Sequence, residues 1–120
     1  MIEIITDTPD NVLWASAHGK ITAEDYEKVF IPAIAEKFKT YDKIRLLYHL
    51  GETFEGYSMP GLMEDAKVGL KHFTGFEKIA IVTDVNWISY ASSFFGAVLK
   101  GEVKVFANEN IAEAKAWIMA

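Results

Sequence analysis

Three histidines, His18, His49 and His72, are the side chains of this sequence best suited to proton transfer or metal ligation. No two stand four residues apart, and neither HxxxH nor HExxH occurs, so no helical ligand pair is offered. Their default roles are structural or solvated. Cysteine is absent, which removes disulfides, zinc fingers and thiol catalysis together. The expectation is therefore no transition metal and no cofactor. Neither GxGxxG nor a P-loop is present, so a nucleotide site has no sequence support. Glu52, Glu55, Glu64 and Asp65 gather around a predicted helix start. Acids are favoured near a helix N-terminus, and they read as a solvated acidic face rather than a catalytic pair. Asp84 and Asn86 follow a predicted strand at the end where open α/β sheets bind ligands, but read first as helix caps. Ser58, ahead of Met59-Pro60, is placed to cap a helix. A phosphate on it would gain from the helix dipole and the free amides.

The most unusual stretch carries no charge at all. From Trp87 to Leu99 the chain has no Asp, Glu, Lys or Arg. At helical spacing Trp87, Tyr90, Ala91, Phe94 and Val98 share one face, while Ile88, Phe95 and Leu99 share the next. A stripe this broad has to be covered, by other helices, by a dimer partner, by an apolar ligand or by a bilayer surface. The run is too short to span a membrane, which needs about 20 residues. It also lacks the Lys/Arg face of an interfacial helix. Phe54, Tyr57, Met59, Leu62 and Met63 add adaptable apolar surface nearby. These residues, with Trp87, Tyr90, Phe94 and Phe95, form the candidate ligand-binding set.

The elements that must position these residues follow from periodicity. Strands are expected over 2–6 and 12–18, joined across the turn-forming Asp7-Thr8-Pro9-Asp10-Asn11. Thr22 opens a helix, with Asp25 completing a capping box. Tyr26, Val29, Phe30, Ala33, Ile34 and Phe38 make its apolar face. Pro32 lies inside it and predicts a kink. A strand over 43–50 precedes an acidic loop over 51–56, and a helix over about 60–73 follows. Ile79-Ala80-Ile81-Val82 is a continuous apolar run, as in a strand buried on both faces. A helix over about 87–100, a strand over 103–106 and a last helix through Trp117, capped by Asn108 or Asn110, complete the order ββαβαβαβα. Strands alternating with helices imply mostly parallel pairing, and the first hairpin makes the sheet mixed.

Composition agrees with one domain over residues 1–120. Hydrophobic residues make up 51% of the 120, ample for a core, and 12 basic against 17 acidic residues give a net charge of −5. An acidic chain is poorly suited to nucleic acid. No targeting segment and no membrane span is visible, so a cytoplasmic protein is expected, at most peripheral to a membrane.

Four stretches resemble the SpoIIAA-like family, a branch of the STAS (sulfate transporter and anti-anti-sigma antagonist) fold. They are Val29-Phe30-Ile31-Pro32-Ala33-Ile34; Ile44-Arg45-Leu46-Leu47 with Phe54-x-Gly56; Glu77 to Asp84 with Trp87; and Val103-Lys104-Val105-Phe106 with Glu113-Ala114-x-x-Trp117-Ile118. The resemblance implies a (βα)n half-superhelix, with helices largely on one side of a mixed sheet, and a regulatory or binding module rather than an enzyme. In the anti-anti-sigma branch a Ser or Thr at the second helix start is phosphorylated, typically after an Asp. Ser58 matches that place, but Tyr57 stands where the Asp would be. The leading expectation is a non-enzymatic module that binds an apolar small molecule or lipid between the second and third helices, with transient membrane contact. The alternative is a protein-interaction regulator switched at Ser58.

Overall fold

The structure is a computed structural model that describes residues 1–5, 8, 11–57, 75–84 and 102–120, with residues 23, 26, 54, 56 and 57 described by backbone alone. Strands β1 (Ile2–Ile5), β2 (Val12–Ile21), β3 (Ile44–Tyr57), β4 (Phe76–Thr83) and β5 (Glu102–Phe106) form one sheet in sequential order. β1 runs antiparallel to β2, and every later pair is parallel. This is the mixed α/β sheet that the alternating periodicity predicts. The expected helices over 60–73 and 87–100 lie outside the described residues.

Helical residues begin at α1 (Ala23–Asp25). They pass through a π-helical turn over Tyr26–Phe30 and continue as α2 (Ile31–Thr40). The capping box forms as the sequence predicts. The Asp25 amide donates to Thr22 Oγ1 at 3.2 Å, and the Thr22 amide donates to Asp25 Oδ2 at 2.8 Å. Burial of Asp25 raises its pKa, but the Thr22 amide and hydroxyl and the N-terminal ammonium outweigh this and hold it below the usual value. The interruption expected at Pro32 takes the form of the π turn just before it. Wider hydrogen-bond spacing is one way for a helix to accommodate a residue with no backbone donor.

The sheet has two differently filled faces. On one, Phe30 and Ile34 pack with Leu13, Ile44, Leu46, Tyr48, Ile79 and Ile81. On the other, Ala114 and Ile118 of α3 (Ile111–Met119) pack with Val12, Leu47, Ala80, Val82 and Phe106. Ile79 to Val82 therefore serve both cores in alternation, as a strand buried on both faces must. Gly75 leads into β4 beneath Phe38. A Cβ there would lie 2.6 Å from Phe38 Cε1 and against the Asp42 carbonyl, so no larger residue fits.

Two local expectations are corrected. Residues 51–56 are not a loop: β3 continues to Tyr57, and its end pairs with an equally extended β2 through Gly19↔Phe54, Lys20↔Gly56 and Ile21↔Tyr57. The pairing passes irregularities, and Gly19 sits at φ +64°, where glycine is favoured. Nor do Asn108 and Asn110 cap the last helix with their side chains. Asn110 precedes α3 without a side-chain cap bond, and a 3-10 turn over Asn108–Asn110 leads in.

Candidate functional site

The irregularity in the β2–β3 ladder builds a polar concavity at one end of the sheet. Between Ala17↔Leu50 and Gly19↔Phe54, His18 alone on β2 faces Gly51, Glu52 and Thr53 on β3. Such bulges re-aim side chains at sheet ends. Here the bulge brings Thr53 Oγ1 within 2.6 Å of His18 Nδ1, while His18 Nε2 lies 3.3 Å from Glu3 Oε1 on β1. A cleft of about 380 Å³ opens beside them, lined by His18, His49, Gly51, Glu52, Thr53 and Asn108 among others. It sits at the carboxyl ends of the parallel strands, where open α/β sheets place ligands.

The rest of the cleft wall is held firmly. Asp84, just past β4, accepts from the Asn108 amide at 2.9 Å and from Asn108 Nδ2 at 3.2 Å. Asp84 thus fixes the turn that launches α3. His49 has its imidazole beside Gly51, where a Cβ would lie 3.1 Å from the ring. Burial pushes the His49 pKa down; contact with the Asn108 side chain acts the other way, and the nearby His18 and Lys115 lower it further. At neutral pH His49 is therefore an uncharged imidazole, able to donate one hydrogen bond and accept another.

The Glu3–His18–Thr53 chain has the connectivity of an activated hydroxyl. Its setting differs from that of a catalytic triad, because the His18 and Glu3 side chains are 38% and 53% exposed. Water competes for every member, and the chain chiefly ties β1, β2 and the β3 bulge together. Among the described residues no group of three or more His, Asp or Glu could hold a metal ion.

A second cavity of about 200 Å³ lies further back along the same strands. Its walls are Val12, Trp14, Leu47, Ile118 and Met119, with Thr8 and Lys115 at its margin. Lys115 Nζ stands 4.1 Å from the Trp14 ring centroid, a cation–π contact. The Trp14 indole N–H is buried and has no acceptor among the described residues. The far end of α3 is clamped by two cations. Arg45 donates to the Ile118 carbonyl and to Glu77, both at 2.9 Å, and Lys78 donates to the Trp117 carbonyl at 3.2 Å. Positive charge at a helix C-terminus is stabilising.

Most of the residues singled out from sequence are not among those described. Ser58, Met59, Leu62, Met63, Trp87, Tyr90, Phe94 and Phe95 are outside the described residues, as are Asn86 and His72. Phe54 and Tyr57 are placed by backbone, on the extension of β3. The sequence signals missed His18, His49 and Thr53 as neighbours, because only the bulged register unites them. Glycines at 19 and 51 flanking two histidines were the available hint.

The fold and this architecture are those of the SpoIIAA-like family, which the chain matches over residues 12–119, and the protein belongs to that family. Among solved structures it is similar to an uncharacterized protein of the DUF3478 family with a SpoIIAA-like fold from Shewanella loihica PV-4. The two share 29% identity with a TM-score of 0.71, over 98% of this chain and 92% of that one. No curated protein matches the sequence.

Proposed function

We propose that this SpoIIAA-like protein is a non-enzymatic binding module, cytoplasmic, that holds an apolar small molecule or lipid between its second and third helical segments and touches membranes transiently. The observation that carries the reading is topological. β3 and β4 pair in parallel up to Leu50↔Thr83. The segments 58–74 and 85–101, the second of them free of charge from Trp87 to Leu99, therefore follow the carboxyl ends of adjacent parallel strands. Among the described residues no helix is long and apolar enough to cross a membrane, so contact with a bilayer would be peripheral.

Native mass spectrometry of the purified protein tests both ligand and subunit count. A copurifying lipid, and saturable fatty-acid binding that weakens at least about tenfold in a folded Phe94→Asp variant, are the expected results. An ionised carboxylate in an apolar site is costly unless paired. A wild type that binds no apolar probe, and a dimer that Phe94→Asp splits into monomers, would replace the ligand with a second subunit. A regulatory reading is kept by one fact: Ser58 directly follows Tyr57, the last described residue of β3, in the sequence. Under it, protein taken from its own cells would carry phosphoserine at 58.

A further inference from the structure

α3 packs on β3, β4 and β5, and leaves a groove along β2 on the side of the sheet opposite α2. Alternate residues of a strand share a face, so Val12, Trp14, Ser16 and His18 follow one another along this groove. Leu47 and His49 run beside them, since Trp14↔Leu47 and Ser16↔His49 are in register. One end is the apolar cavity of about 200 Å³, and the other is the polar cleft at the bulge. Lys115 stands between them: it borders the apolar cavity, and its charge is felt at His49.

We propose that this groove binds a small amphipathic monocarboxylate, its apolar body between Trp14, Leu47 and Ile118 and its carboxylate on Lys115. Three observations fix the class. A dry cavity of about 150 Å³ already holds a benzene ring, so the space of about 200 Å³ takes one ring or a short alkyl chain, not a full lipid tail. Its walls offer almost no hydrogen bonding, which selects an apolar body. At its margin, Lys115 is exposed and has no carboxylate within ion-pair distance among the described residues. The lysine is held over the indole face, next to where an anionic headgroup would emerge. Among the described residues, the acid groups near the groove, Glu3 and Glu52, lie at the bulge end. They repel a carboxylate from that end and favour its placement at Lys115. This site shares no residue with the one proposed between the helical segments and does not depend on it.

The test uses the full chain with 3-phenylpropionate and its neutral counterpart 3-phenyl-1-propanol. Indole N–H resonances are followed by NMR, with Trp14 assigned from a Trp14→Phe spectrum. Trp117 serves as the internal control. It lies at the other flank of α3, against Phe106 and beneath Lys78 and Lys104. The acid is expected to shift the Trp14 signal saturably and the Trp117 signal little. Lys115→Met, which keeps the stem and removes the charge, should weaken the acid about tenfold and leave the alcohol unchanged. Lys115 is exposed, so this variant should fold, and an unchanged circular dichroism spectrum checks it. Absence of a saturable Trp14 shift in the wild type overturns the proposal. So does equal binding of acid and alcohol that Lys115→Met does not alter.

Discussion

The two faces of the sheet are built to different plans. The face under α2 has a tightly packed centre: Phe30 meets Tyr48 edge-on with centroids 5.1 Å apart, Phe38 meets Phe76 at 5.5 Å, and the aliphatic side chains between them are essentially inaccessible, while a cleft of about 350 Å³ opens at its edge beside Ile4, Ala33 and Tyr41. The face under α3 is smaller and rimmed with cations. Lys78 and Lys104 lie over Trp117, Lys115 lies over Trp14, and Arg45 anchors the helix end. Large-ring packing and full burial supply stability. Amphipathic side chains over half-buried indoles leave cavities and charge within reach of solvent. Among the described residues the larger aromatic and aliphatic core lies on the α2 face, and the half-buried indoles under lysines lie on the α3 face.

Substitutions can break this contrast. Ile81, on the α2 face, is 1% exposed. Ile81→Ala should lower stability by about 2–5 kcal/mol in denaturant melts. A loss below about 1 kcal/mol would show that the centre of this face is not tightly packed. On the α3 face Arg45→Met should cost less, about 1–3 kcal/mol, by freeing the Ile118 carbonyl and leaving Glu77 unpaired. Its unfolding should be preceded by loosening of α3, seen as faster amide exchange over 111–119 than over 31–40. If both helices exchange together, the faces are energetically one unit.

The smallest effect sharpens the contrast by pH. The lowered pKa of His49 means the folded protein resists protonating it, while the unfolded chain takes up that proton near the ordinary value of about 6.5. Stability from this source is fully present above that pH, and is lost as pH falls below it toward the folded value. His49→Gln should flatten this shallow acid-side decline in thermal melts. An unchanged slope would place the titration elsewhere.

Much of the fold was legible in the residues themselves. Ile79 to Val82 announced a doubly buried strand, and Thr22 with Asp25 announced a helix start, because both signals are local. The continuation of β3 was hidden, since Glu52 and Glu55 read as loop chemistry. Among the described residues, it is pairing with the far end of β2 that holds this stretch extended. The groove was less legible still. His18 and Thr53 are 35 residues apart and touch through a bulge whose register no local pattern encodes. Lys115 and Trp14 meet only because α3 crosses back over the sheet. The expected apolar ligand residues, Phe94 and its neighbours, rest on composition and on where their segments depart from β3 and β4.

The long β3 also bears on how the molecule keeps to itself. Beyond Leu50 it outruns its pairing with β4, and among the described strands only β2 accompanies it to Tyr57. A strand end paired on one side is a template for another chain's backbone, and the stacking of such edges is a usual route to aggregates. Glu52 and Glu55 stand exposed along this stretch. Two copies brought edge to edge would oppose like charges in a cramped, desolvating contact. The same carboxylates that disguise the strand in the sequence act as its gatekeepers.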